Sequence, residues 1–365
     1  LIKASDGSHI WSETFNRDMN DIFKVQDEIA SAVVKELRLK LLGTESKTPK
    51  PSNPDVYNLW LQGKFFLNLT TLENTEKAYK LLQSAYAIDS LDARVWWGLS
   101  TVYYQHSAYS NNSDEAKMYH DKAWVAAQKA VALDPILPDS YEVLANLHIS
   151  LWDLKAAEKS LEQALHVDPS NAASITTMGI LVRDLGRANE SIELFKKSIE
   201  LDPLRPGSFS NLAISYAYLG KYKEAIEQIN NALTITQRPI YFCLLSNMLL
   251  LHGEPDKAYD VGLKSEDEFW RDYALILALW GQNKKGECNK LLKSFIEKHE
   301  QLGAFQIAEI YAWRGEATKT FEWLDKAYTQ KDPGLGEIKS SIFLKLMSAD
   351  QRYKAMLTKL NMPLD

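Results

Sequence analysis

Along most of the chain, apolar residues recur at three- and four-residue spacing, in blocks that short polar turns interrupt. That spacing gathers them on one face of a helix. The blocks come in pairs. Pro135, Pro169 and Pro203 close successive pairs and stand 34 residues apart, each directly after an aspartate. In the unit that begins at Ala172, Ile175, Met178, Gly179 and Val182 form the first stripe, Gly186 the turn, and Ser191, Phe195 and Ser198 the second stripe. The unit from Pro206 repeats the plan with Phe209, Leu212, Ala213, Tyr216, Gly220, Ala225, Ile229 and Ala232. The unit from Pro138 repeats it with Leu144, Ala145, Ala157, Leu161 and Ala164. Small residues fall where the two helices of a pair are expected to cross.

The pattern loosens towards both ends. Earlier units start near Val56 and near Ala93, the latter with an insertion, "AYSNNSDEA", between its helices. Later units keep a glycine at the expected turn, at Gly253, Gly281 and Gly315. Eight units are predicted between residues 55 and 333. Residues 334–365 read as a loop and a short capping helix with Tyr353, Leu357 and Leu360 inward. The head differs. Residues 9–16 read as a strand, and 20–42 as a helix with Ile22, Val25, Ile29, Val33, Leu37 and Leu41 on one face. Residues 43–54, "GTESKTPKPSNP", read as a linker.

A 34-residue helical period resembles the tetratricopeptide repeat. The resemblance implies an all-α fold, a right-handed α-solenoid of helix pairs. Its concave groove is lined by the first helix of each pair and stabilised by stacking of neighbours. The tail, with Trp323, Ala327, Tyr328, Asp332, Pro333, Phe343, Leu346, Asp350, Arg352, Tyr353 and Pro363, resembles that of bacterial regulators carrying these repeats. In the head, Gly7, Trp11, Ser12, Glu13, Phe15, Arg17, Asp21, Ile22, Phe23, Val25, Gln26, Asp27, Glu28, Ile29 and Ala30 match a run that ends the TolB-like α/β domain of the same proteins. Residues 1–42 are therefore expected to be a strand–helix remnant of that domain. In that family the domain joins an upstream effector, such as an adenylate cyclase, a winged-helix DNA-binding domain or a protein kinase, to the repeats. The resemblance implies the interaction or sensory region of a signalling protein whose effector lies upstream of Leu1. The alternative is a free-standing scaffold or assembly protein. The severed strand at 9–16 is expected to pair with a second copy or to pack irregularly against the first repeat.

Composition narrows the chemistry. The net charge of the 365 residues is −6 and no dense Lys/Arg stripe occurs, which argues against nucleic-acid binding by this region. No run of 18 apolar residues is present, so no membrane span is expected. The two cysteines, Cys243 and Cys288, fit neither a disulfide framework nor a zinc site. They suit a reducing compartment, hence a cytoplasmic location, with a periplasmic or membrane-tethered one as the alternative. The seven histidines form no H-E-x-x-H pattern, and no phosphate-cradling glycine loop occurs. No cofactor, metal or catalytic residue is predicted, and the region is not expected to be an enzyme.

Binding is the expected activity, to a protein or peptide ligand in the concave groove. The repeat positions that face it hold Arg94, Trp97, Tyr104, Asn146, Thr176, Arg183 and Tyr218. Aromatic residues and arginine there are of the types that anchor interfaces. The alternative for Trp97 and Tyr104 is packing against the first unit or the insertion. Asn146 stands where some tetratricopeptide domains clamp a carboxylate, but Glu142 occupies the lysine place, so no carboxylate clamp is expected.

Overall fold

A computed structural model of the chain describes Ala32 and residues 53–68, 71–110 and 113–364. The expected strand at 9–16, the rest of the helix at 20–42, nearly all of the linker, and any self-association through the strand lie outside the described residues. The chain divides into two units, Leu1–Asn53 and Pro54–Asp365. The second is a solenoid of antiparallel helix pairs.

The first three pairs are α1 (Pro54–Asn68) with α2 (Leu72–Ile88), α3 (Ala93–Tyr109) with α4 (Ser113–Leu133), and α5 (Pro138–Ser150) with α6 (Leu154–Val167). The next three are α7 (Ala172–Asp184) with α8 (Ala188–Leu201), α9 (Pro206–Tyr218) with α10 (Tyr222–Ile235), and α11 (Pro239–Leu251) with α12 (Pro255–Gly262). The last two are α13 (Glu268–Gly281) with α14 (Lys285–His299), and α15 (Ala304–Trp313) with α16 (Ala317–Gln330). Two short 3-10 turns, Pro333–Glu337 and Leu344–Met347, lead to α17 (Gln351–Lys359). Among the described residues there is no strand.

Local chemistry starts these helices. Thr71, Asp92, Asp153, Asn171 and Asp267 each accept a backbone N–H from the first turn, satisfying donors that have no partner inside the helix. Proline opens α5, α9, α11 and α12, where its missing N–H is not needed. Within a pair the helices approach closely over small residues. A Cβ on Gly179 would lie 2.6 Å from the Phe195 ring, and Phe195 is wholly buried. Each odd-numbered helix also touches the next, which makes one continuous inner wall.

The turn inside a pair needs a residue at positive φ. Gly186, Gly220, Gly253 and Gly315 supply it, but Trp152 takes that place in the third pair (φ 58°) and Asn283 in the seventh (φ 60°). This corrects the expectation for Gly281. It is the last residue of α13, and it stays small because a Cβ there would lie 2.5 Å from Leu250 Cδ1.

At the far end, α17 buries Tyr353, Met356 and Leu357, and Leu360 follows them into the core. Tyr353 Oη donates to the Ile338 carbonyl at 3.0 Å. The apolar face of the last pair is thereby covered, as the end of a stacked array requires.

Candidate partner-binding site

At the start of the inner wall, aromatic rings and cations are interleaved. The Trp60 and Trp97 rings meet edge-on, 6.2 Å apart. Lys64 Nζ lies 5.2 Å and 5.0 Å from their centroids and pairs with Asp139 at 2.8 Å. Arg94 lies 5.3 Å from the Tyr57 ring and grips Asp92 through Nε at 3.0 Å and Nη2 at 2.6 Å. Trp97 is only 8% exposed, so it packs against the first pair and stiffens the wall. Arg94, Tyr104 and Asn146 are half-buried, and burial raises the Tyr104 phenol pKa. Glu142 accepts from Thr177 Oγ1 at 3.1 Å, and burial pushes its carboxyl up.

Further along, the structure departs from the sequence expectation. Thr176 is buried between helices. Its hydroxyl joins those of Ser198 and Ser208 in a triangle with sides of 2.8, 2.9 and 2.9 Å. Arg183 is 2% exposed; its Nε donates to Asp184 at 2.9 Å and its Nη1 to Asn211 at 2.7 Å. Both side chains are buried and engaged by neighbouring groups, so neither offers an open surface in the groove.

For Arg183 the cause is the chain's own segment between α16 and α17, which lies across the inner wall. Ser340 Oγ donates to Asp184 Oδ1 at 2.6 Å on α7. Lys345 Nζ donates to the Tyr218 carbonyl at 2.7 Å, at the C-terminal end of α9, and stands 4.4 Å from the Tyr218 ring centroid. A cation at that end meets unpaired carbonyls and the negative pole of the helix dipole. On α15, Glu309 accepts from Ser341 Oγ at 2.6 Å and from Tyr273 Oη at 2.8 Å. Leu335, Ile338, Phe343 and Leu344 of the segment are buried, which stabilises its seating by roughly 2 kcal/mol per side chain. Trp152 stacks on Tyr328 with 5.5 Å between centroids, bringing the third pair against the last.

The candidate residues therefore fall into two groups. Arg94, Tyr104 and Asn146 sit on α3 and α5, with Trp97 beneath them. Thr176 and Arg183 are interior, and Tyr218 is a seat for Lys345. Ser340, Ser341, Lys345 and Glu309 were not anticipated. A signal was present in "KSSIFLK", where two hydroxyls sit among apolar residues in a stretch without helical period.

Residues 138–171, 174–203 and 207–238 match the family model described as tetratricopeptide repeat. Those are the third, fourth and fifth pairs. Within those residues the chain carries tetratricopeptide repeats, and the array as a whole is an all-α solenoid of helix pairs. Its other pairs carry the same helix–turn–helix plan with looser sequences. A Rhizobium meliloti (strain 1021) protein named "Putative adenylate cyclase 3" is 30% identical over 106 residues, 28% of this chain. That stretch is 18% of the relative's own length. Among solved structures, PilW, described as a widely conserved type IV pilus biogenesis factor, is similar with a TM-score of 0.47 and 15% identity, over 62% of this chain and 100% of that one. PilF of Pseudomonas aeruginosa is similar with a TM-score of 0.43 and 18% identity, over 58% and 90%. YrrB, described as a tetratricopeptide protein with an unusual peptide-binding site, has a TM-score of 0.34 and 17% identity, over 47% and 93%. Among the described residues, no helix is long and apolar enough to cross a membrane, and no group of three His, Cys, Asp or Glu is placed to hold a metal ion.

Proposed function

We propose that this region is a non-catalytic partner-binding module of a bacterial signalling protein, and that a protein or peptide docks on the inner wall of its first three pairs. The observation that carries the reading is the placement of the C-terminal segment. Its polar contacts fall on α7, α9 and α15, whereas Arg94, Tyr104 and Asn146 lie on α3 and α5. Arg94 above Tyr57, Lys64 above Trp60 and Trp97, and Asp139 beside them offer both signs of charge over aromatic faces. Such a surface suits a peptide of mixed charge that lays apolar side chains between the cations.

The signalling context rests on two supports: the likeness of the head to the end of a TolB-like α/β domain, and the partial match to the cyclase-named relative. In this reading residues 1–42 belong to that domain, 43–54 link it to the repeats, and the upstream effector supplies any catalysis.

The test is capture of partners from the source cell by the full chain, compared with Arg94→Glu/Asn146→Ala. Partners bound on this wall are lost at least tenfold from the variant while its helical content and unfolding midpoint stay the same. Equal capture by both chains refutes the site.

A further inference from the structure

The seat of the C-terminal segment is acidic at its centre. Glu309, on α15, is 9% exposed and accepts from one hydroxyl of the segment, Ser341, and one of the wall, Tyr273. The groups that face it are known from each side. Tyr273 comes from α13 and Cys243 from α11, and both are held neutral by burial. Glu337 and Asp332 come from the segment itself; burial raises both carboxyls as well, and when ionised they add negative charge beside Glu309. Arg183, beneath the segment on α7, faces Glu337 and is already engaged by Asp184. Lys345 is turned to the Tyr218 carbonyl, and Lys339 Nζ donates to the Pro363 carbonyl at 3.0 Å. When ionised, Glu309 thus holds its charge beside other carboxyls in a buried site.

We propose that residues 335–347 are a proton-controlled strap: with Glu309 protonated the strap is held closed over Arg183 and Tyr218, and ionisation of Glu309 favours its opening. The neutral carboxyl keeps both contacts, because its own proton donates to one hydroxyl while its other oxygen accepts from the second. The ionised carboxyl also keeps two donors but loses solvation inside the wall. Opening restores water to it, and the strap is the element that can move, since α13 and α15 are packed on both sides. The idea goes beyond the partner reading and stands or falls without it.

The direction of the effect follows from linkage. Burial, opposed by the Ser341 and Tyr273 hydrogen bonds, raises the Glu309 carboxyl from its ordinary 4.5 to about 7. A group whose value is higher when closed than when open stabilises the closed form fully below the open value. That stabilisation fades as pH climbs towards the closed value and is flat above it. The window for Glu309 is therefore pH 4.5 to 7.

Hydrogen exchange of the full chain, followed by mass spectrometry at pH 5.0 and pH 7.5, reads this directly. After correction for the intrinsic pH dependence of exchange, peptides within 335–347 are expected to open roughly fiftyfold more at pH 7.5, while peptides from α1–α4 do not change. Glu309→Gln removes most of the difference, leaving the share of Glu337 and Asp332, whose carboxyls burial also raises. Tyr273→Phe takes away a donor that favours the charged form, so its strap still responds, with the midpoint shifted to higher pH. A wild-type strap with the same corrected exchange at both pH values overturns the proposal. So does a pH response that survives unchanged in both variants.

Discussion

Ser340 Oγ and Asp184 Oδ1 meet at 2.6 Å although 156 residues separate them in sequence. The same Asp184 carboxylate takes the Arg183 Nε–H at 2.9 Å. One carboxylate thus holds an interior arginine in place and anchors the strap to the fourth pair.

Asp184→Ala leaves Arg183 buried without its neighbouring charge. The expected loss is about 3 kcal/mol, measured from the urea unfolding midpoint. Ser340→Ala removes a single hydrogen bond to a charged acceptor and is expected to lose about 1.5 kcal/mol. The double variant should match Asp184→Ala alone, because both changes break the same contact.

Trp152 pays for its stacking on Tyr328 with a left-handed backbone, φ 58°. The left-handed conformation costs a residue bearing a Cβ about 1 kcal/mol. Trp152→Gly loses the ring but relieves the backbone, whereas Trp152→Ala loses the ring and keeps the strain. Thermal midpoints should therefore rank wild type above Trp152→Gly, and Trp152→Gly above Trp152→Ala. An alanine variant more stable than the glycine variant would refute the trade.

Gly179→Ala places a methyl group 2.6 Å from the buried Phe195 ring. The overpacked crossing should lose about 1–3 kcal/mol. A second change, Phe195→Leu, makes room and should recover part of that loss in the same unfolding assay.

The repeats were legible because their signals are local and recur. Pro135, Pro169 and Pro203 mark the period, and the small residues mark the crossings. Gly281 was misread as a turn because the left-handed place two residues on is filled by Asn283, the other residue type that tolerates it. The strap was hidden for a different reason. Its 3-10 turns have no periodic face, and its polar partners Asp184 and Tyr218 are 156 and 127 residues away. Arg183 and Thr176 were assigned to the groove on the assumption that groove positions meet solvent. Arg183 lies beneath the strap, and Thr176 is absorbed by a hydroxyl triangle between neighbouring pairs. Arg94, Tyr104 and Asn146 lie on α3 and α5.

The chain's own C-terminal segment lies across the inner wall of the fourth and fifth pairs. Thiol cross-linking tests this placement most directly, in a chain with Cys243→Ala and Cys288→Ala that carries Tyr218→Cys and Lys345→Cys. A short bis-maleimide should join the two positions within one chain when the protein is folded, and leave them unjoined in denaturant. Two thiols that each react with a monofunctional maleimide in the folded protein, yet never cross-link to one another, would show that the segment does not lie on this wall.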